Sequence, residues 1–445
     1  VTERLAELDS LLEEVREGRL EAAVRLASGL DPADLADALG ELNAEQRLGF
    51  VETLPPAVAG HALAAMPEDG HAGDILSALP PERAGALLGE VHDDDAAALL
   101  RGLPPEVAER LLSVAADRAD VGALLRYAPR TAGGRMTTHV MSVRDTDTIA
   151  EALARIRHLA VVVQDFYQIF VVDGSGVLRG VLTLQTLVVS PPDRRIAEIM
   201  TVPEVTVPPD MDQEEVARLF ARYDQASVAV VDGTGRLLGR VTFDDVIDVV
   251  EAETTEDILQ FGGTSAGEEL QASWREAVRS RLPWLVINLA TAFLAAAVIF
   301  SYQGLIRQIT TLAVIMPVIA GMGGNAGTQA LAVTVRRLAL GLIPRHRFRQ
   351  VIGKEMLVGV TNGVLIGLIV GLVSLGLHRG PMLGVVVFLA MSGNLLVAGL
   401  AGAFIPIVLE EMGVDPAVAS SIFVSTFTDV CGFFLLLWLA GLLLL

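Results

Sequence analysis

The sequence predicts a multidomain membrane protein: an N-terminal α-helical solenoid, a tandem α+β module, an acidic connecting helix and a five-helix transmembrane domain. Three observations carry this. A Leu-Pro motif recurs every 24 or 25 residues in the first 130, a longer motif returns after 59 residues, and five apolar runs crowd the last third. Charge is divided the same way. Of 33 basic and 54 acidic residues, 25 and 49 precede Pro283, so a soluble part of net −24 joins a slightly basic apolar part. Such a soluble part repels nucleic acid and favours cations as partners. Cys431 is the sole cysteine and lies in an apolar run, which excludes a disulfide framework.

Residues 1–130 have Leu and Ala at helical spacing. LDPAD at Leu30, LPPAV at Leu54, LPPER at Leu79 and LPPEV at Leu103 give the repeat. Proline is favoured at the first helical position, and a nearby carboxylate suits the positive helix end. Each motif therefore predicts a helix start, and the repeat predicts a stack of helical units. HDDDAAALL at His92–Leu100 adds an acidic helix start.

Residues 131–243 change character. VVDGSGVLRGVLT at Val171–Thr183 returns as VVDGTGRLLGRVT at Val230–Thr242, each reading as strand, turn, strand. Amphipathic helices are expected before them, over Thr148–His158 and Asp212–Arg222, and Met136–Thr137 and Met200–Thr201 mark both starts. The βαββα pair resembles a tandem CBS module. That resemblance implies a ligand-sensing unit, with ATP a candidate ligand.

Residues 244–282 form the expected connector. DDVIDVVEAETTED, Asp244–Asp257, holds seven carboxylates and no basic residue. Asp245, Asp248 and Glu256 share a helical face, with Glu253 beside it, and without basic partners at i,i+4 they repel one another. Residues 283–445 then predict five spans, at about 283–301, 309–335, 356–377, 382–409 and 418–445. The Arg336–Lys354 loop carries six basic residues, against one each around Arg307 and Arg379, and should be cytoplasmic. An odd number of spans then places the N-terminus in the cytoplasm and the C-terminus outside. The polar, acidic first residues agree with an N-terminus that stays inside.

Two stretches carry chemistry. In the fifth span Asp429 lies well inside an apolar run. A carboxylate at the bilayer centre costs roughly 2.5–3.5 kcal/mol, so it persists where it meets water, protein or a cation. Ser421, Ser425, Thr428 and Gly432 join it at three- and four-residue spacing, while Phe423, Phe427, Phe434 and Leu437 are expected opposite. In the second span PVIAGMGGNAGTQA, Pro317–Ala330, places Gly324, Asn325, Thr328 and Gln329 at membrane depth. Small residues there permit close helix approach or line a cavity.

The helical repeat, the CBS pair, DVVEAETTEDI, RLPWL, GGNAGTQ and GVDPA…STFTDV together resemble the MgtE family of magnesium transporters. The resemblance spans essentially the whole chain. It implies a homodimer in the cytoplasmic membrane, with an ion path between the second and fifth spans and a plug helix beneath it. Asp429 then matches the intramembrane aspartate and Asn325 the pore asparagine, with Gly324, Thr328 and Ser425 along the path. Asp415 matches an acid at the cytoplasmic mouth. Asp245, Asp248, Glu253, Glu256 and Asp257 match regulatory positions of the plug helix. Asp212, Glu214 and Asp224 match cytosolic Mg2+ ligands, approached by Asp93 or Asp94; one turn on, Ala97 and Ala98 stand where a further acid is expected.

Elementary chemistry agrees with the ion. Mg2+ keeps several waters and binds through one or two carboxylates, whereas zinc and copper prefer imidazole or thiolate. The sequence offers no nucleophile–base pair and no HExxH motif, so an enzyme is not expected. A membrane-anchored nucleotide or ion sensor is the competing reading. A tether, however, needs no polar groups in its apolar core.

Overall fold

In the computed structural model the described residues are 2–67, 71–115, 118–160, 163, 166–262, 264, 274–375, 381–417 and 420–445. The chain divides into two compact units, Val1–Glu251 and Ala252–Leu445.

The first unit opens with short helices. The four Leu-Pro motifs start helices Pro32–Glu41, Pro56–Ala64, Pro81–Leu88 and Pro105–Val114, each with proline in its first turn. The Asp31 side chain caps the first of these by accepting from the Ala33 N–H. Between them run Ala44–Thr53, Ala72–Ala78 and Asp93–Arg101, so each repeat is a helix pair. Successive pairs touch at glycine: a Cβ on Gly60 would stand 2.7 Å from the Leu87 carbonyl. Leu and Ala from every repeat, with Phe50, fill one continuous core.

The duplicated module follows. Strands β1 (Ser142–Arg144), β2 (Gln168–Val172) and β3 (Leu178–Thr183) form one three-stranded sheet, and β4 (Thr206–Val207), β5 (Ser227–Val231) and β6 (Leu237–Thr242) form its copy. In each, the first two strands pair parallel and the last two antiparallel. The intervening helices, Ile149–Leu159 and Gln213–Tyr223, begin one residue after the expected Thr148 and Asp212, which cap them. In the hairpins Asp173 and Asp232 accept backbone N–H groups of the turn, and the residues with left-handed φ are Gly176 and Gly235, the second glycine of each motif. The Met-Thr markers cross over. Thr137 bridges Arg240 of β6 and Thr201 bridges Val181 of β3, each copy lending a residue to the other's sheet.

The acidic stretch forms one helix, Phe243–Phe261. Among the described residues five helices are long and apolar enough to cross a membrane: Ala277–Ser301, Thr311–Ala339, Arg345–Ser374, Pro381–Glu411 and Ser421–Leu443. The helix that holds the first runs Trp274–Ser301, starting inside what the sequence assigns to a linker, because WREAVRSR continues the helical pattern without a break. The remainder of that linker, residues 265–273, and the Arg379 turn lie outside the described residues.

The fourth helix is the centre of the membrane unit. Gly359, Gly363, Gly367 and Gly371 of the third form a ridgeless stripe against it: added Cβ atoms would stand 2.5–2.9 Å from carbonyls of Leu395, Ser392, Phe388 and Gly384. Small residues let two backbones meet this closely, and dispersion then holds them where lipid removes the hydrophobic drive. The outer faces of the first and third helices present Leu289, Phe293, Leu365 and Leu368.

Candidate functional site

The second and fifth helices pack through two glycines. A Cβ on Gly327 would lie 2.6 Å from Val424, and one on Gly323 would lie 2.2 Å from Nδ2 of Asn394 on the fourth helix. Gly432 of the fifth helix meets the same Asn394 amide, at 2.8 Å from a built Cβ. Asn394 is fully buried, and its Nδ2 donates to the Ile319 carbonyl at 3.0 Å. Its Oδ1 has no hydrogen-bond partner among the described residues. One amide thus fixes how three helices meet. The sequence reading missed it, although a polar residue inside an apolar run, the signal that exposes Asp429, applies equally to Asn394.

Close packing turns the polar residues outward. Asn325 and Thr328 are exposed on the second helix, and Gly324 beside them has open space where a side chain would go. A side chain at Gly324 therefore meets nothing within the chain, and close helix approach falls to Gly323 and Gly327, because helical phase turns them toward their neighbours. Gly323→Val is expected to abolish stable folding, whereas Gly324→Val leaves melting within a few degrees of wild type. Equal melting of the two purified variants would contradict this packing.

On the fifth helix Ser421, Ser425 and Asp429 follow at i,i+4 and are half-buried. Ser425 and Thr426 donate to the Ile422 carbonyl, at 3.1 and 2.7 Å. Thr428, expected on this stripe, is instead fully buried, with its hydroxyl on the Ser425 carbonyl at 2.9 Å. Phe423, Phe427 and Phe434 are exposed, and Leu437 is buried with Leu312 and Leu383, where the fifth helix packs on its neighbours. Asp429 makes no hydrogen bond or ion pair with any described residue.

At the foot of these helices Asp415 accepts from the Ala417 N–H at 2.8 Å. Ala417 is buried with Leu331, Val335 and Val424, and Phe261, the last residue of the acidic helix, packs against this cluster. The C-terminal end of the acidic helix is thus seated below the second and fifth helices.

The remaining candidate acids separate into groups. Asp93 is buried, and its carboxylate accepts from the Thr137 and Thr138 hydroxyls and, at 2.9 Å, from the Thr138 N–H. Those bonds clamp the acidic helix start to the duplicated module. Ala97 is buried in the core and Ala98 exposed. Asp94 and Asp95 instead feel the first turn of the acidic helix. Burial and the neighbouring Asp245 push Asp94 well above the usual carboxylate range. Burial raises Asp95 to about 6, with His92 and His61 opposing and Asp244 and Asp248 adding to the shift. Burial raises Asp245 to about 7 against the Thr242 hydroxyl bond, with Asp244 and Asp95 contributing. Asp212 caps the helix Gln213–Tyr223, Glu214 pairs with Arg218 at 2.7 Å, and Asp224 ends that helix at φ 49°. Ten residues at 1.5 Å rise place Asp224 about 15 Å from Glu214, so the two cannot share one ion.

Among the described residues no three His, Cys, Asp or Glu side chains converge on a metal position. Because Asp95 and Asp245 hold protons more tightly folded than unfolded, stability without divalent ions falls as pH rises from about 4 through 7. A fragment of residues 1–251 in chelator is therefore expected to melt higher near pH 5.5 than near pH 7.5. Asp245→Asn should raise the melting temperature near pH 7.5 by roughly 2–4 °C, the equivalent of about 1 kcal/mol. A lower melting temperature for that variant would contradict the repulsion.

Five helices able to cross a membrane, one carrying a carboxylate with no partner among the described residues, joined to a carboxylate-rich unit, suit an integral membrane protein that handles cations. Family models agree: "divalent cation transporter" matches residues 316–439, "MgtE intracellular N domain" residues 30–130, and "CBS domain" residues 132–190 and 196–252. The magnesium transporter MgtE of Thermus thermophilus is 41% identical over 334 residues, covering 74% of this chain and 73% of that protein. The magnesium transporter MgtE of Enterococcus faecalis is 37% identical, covering 71% and 69%. The chain belongs to the MgtE family of magnesium transporters. Its fold also matches the crystal structure of the cytosolic domain of the Mg2+ channel MgtE in complex with ATP, at 40% identity and TM-score 0.52. That match covers 54% of this chain and 99% of the solved one. The soluble part of a magnesium transporter matches at 29% identity and TM-score 0.51, covering 56% and 99%.

Proposed function

We propose that the chain imports Mg2+ across the cytoplasmic membrane as a homodimer, through a pore lined by the second and fifth helices of both copies. The observation that carries this is Asp429, half-buried at membrane depth without a protein partner among the described residues. Its companions on the path are Asn325, Gly324, Thr328 and Ser425. A two-fold axis doubles the single carboxylate, giving a site suited to an ion that keeps most of its water. The N-terminus is cytoplasmic and the C-terminus outside, which places the basic Arg336–Lys354 turn inside. The division into residues 1–130, 131–243, 244–282 and 283–445 assigns a helical domain, a CBS pair, a plug and a pore.

Cytosolic Mg2+ closes this pore. It bridges Asp94 or Asp93, Asp212, Glu214, Asp224 and Asp415 with Asp245, Asp248, Glu253, Glu256 and Asp257 in sets of two or more. Only ions that bind the closed state better shift the balance, so bridging matters more than screening. The seat of Phe261 beneath the second and fifth helices supports a mechanical link from the acidic helix to the pore. The likeness to a cytosolic domain solved with ATP supports nucleotide binding at the CBS pair. No catalytic residue is assigned.

Growth of a bacterial host stripped of its own Mg2+ uptake tests the reading. Expression is expected to restore growth in low-magnesium medium; failure of well-expressed, membrane-inserted protein to do so contradicts it.

A further inference from the structure

A second charged feature of the membrane unit plays no part in the ion path. The turn between the second and third helices carries an open cleft of about 270 Å3 lined by Arg337, Arg347, Gln350 and Lys354 with the apolar Leu342, Ile343 and Val351. The turn is tightly built. Gly341, at φ 62°, closes the second helix, with its N–H on the Leu338 carbonyl at 2.8 Å, and the Leu342 N–H reaches the Arg337 carbonyl at 2.9 Å. Arg345–Arg347 form a turn of 3-10 helix, and Ile343 and Phe348 are anchored with Leu338 and Ile407 in a small apolar cluster. The backbone that carries the cations is therefore ordered by hydrogen bonds and packing.

Most of their charge is uncompensated. No acidic residue lines the cleft, and Arg337 and Arg347 have no carboxylate within ion-pair distance among the described residues. Lys354 alone has one, with Nζ 3.8 Å from Oε1 of the buried Glu355. Gln350 and Val351 belong to the first turn of the 28-residue helix Phe348–Leu375, whose N-terminal N–H groups and dipole favour an anion. Arginine forks match phosphate oxygens in pairs. In the cleft wall Leu342 is 63% exposed, an apolar surface where two spans end.

We propose that this cleft is a binding site for a phosphate-bearing anion, the headgroup of an anionic lipid, with Leu342 against its acyl chain. A cleft of this size admits one phosphodiester group, and its place at the ends of two spans puts it at headgroup depth. Inorganic phosphate shares the recognised chemistry but has no use for the apolar rim.

The test is native mass spectrometry of the purified full-length protein with phosphatidylglycerol or phosphatidylcholine, with and without excess inorganic phosphate. Wild type is expected to retain phosphatidylglycerol over phosphatidylcholine, and excess phosphate should not strip it. Arg347→Gln should weaken retention roughly five-fold, and the triple variant Arg337→Gln, Arg347→Gln, Lys354→Gln on the order of 100-fold, at about 1 kcal/mol per cation. Arg347 is exposed, so its single variant reads the site even if the triple variant fails to fold. Equal retention of the two lipids, or undiminished phosphatidylglycerol retention by Arg347→Gln, overturns the site. Displacement by inorganic phosphate at matched concentration overturns the lipid as its ligand.

Discussion

Asp429→Asn is expected to cut Mg2+ flux on the order of 100-fold while the protein stays folded. The substitution keeps side-chain shape and removes one charge. A cation at this depth loses the counter-charge that offsets its dehydration, and a hundred-fold loss corresponds to about 2.7 kcal/mol of lost stabilisation. Folding does not suffer, because Asp429 bonds to no described residue and the neutral amide is easier to hold in an apolar layer. Asp429→Glu, with the charge kept and displaced by a methylene, should retain part of the flux. The check is uptake into liposomes loaded with a Mg2+ indicator, beside melting curves of both variants. Wild-type flux through Asp429→Asn would remove this residue from the path.

The second large effect concerns closure. Asp248, Glu253, Glu256 and Asp257 replaced together by Ala should leave conduction intact and raise the Mg2+ concentration for half-closure about ten-fold, within the usual range of coupling between sites. Carboxylate-only sites that retain waters are individually weak, so several must act together. Asp245 is left in place, so the contact with Asp94 is kept while the rest of the helix is tested. Protease sensitivity across residues 240–282 gives a parallel reading. Added Mg2+ should protect this segment in wild type, and sodium at equal ionic strength should not. Unaltered Mg2+ dependence in the quadruple variant would leave the acidic helix a solvated surface only.

How far the sequence reached can be argued residue by residue. Proline at the first turn has one structural meaning, so the four repeat helices begin where the motif places them. The paired hairpins were legible because Asp173 and Asp232 organise their turns locally. Asp429 was legible because a charge in an apolar run admits few explanations. Helical phase was harder: GGNAGTQ offers three glycines, and only packing tells Gly323 and Gly327 from Gly324. The fate of Asp93 was not legible at all, since its partners Thr137 and Thr138 lie more than 40 residues away. Asn394 carries the same polar-in-apolar signal as Asp429, but its role shows only where three helices meet.

The most direct test of the central claim is Mg2+ entry into liposomes holding only the purified chain, measured at low and at high Mg2+ on the face of the soluble unit. The account requires rapid entry at low Mg2+, strong slowing at high Mg2+, and no such entry in protein-free liposomes. Entry no faster than in protein-free liposomes, with the protein folded and inserted, would contradict it.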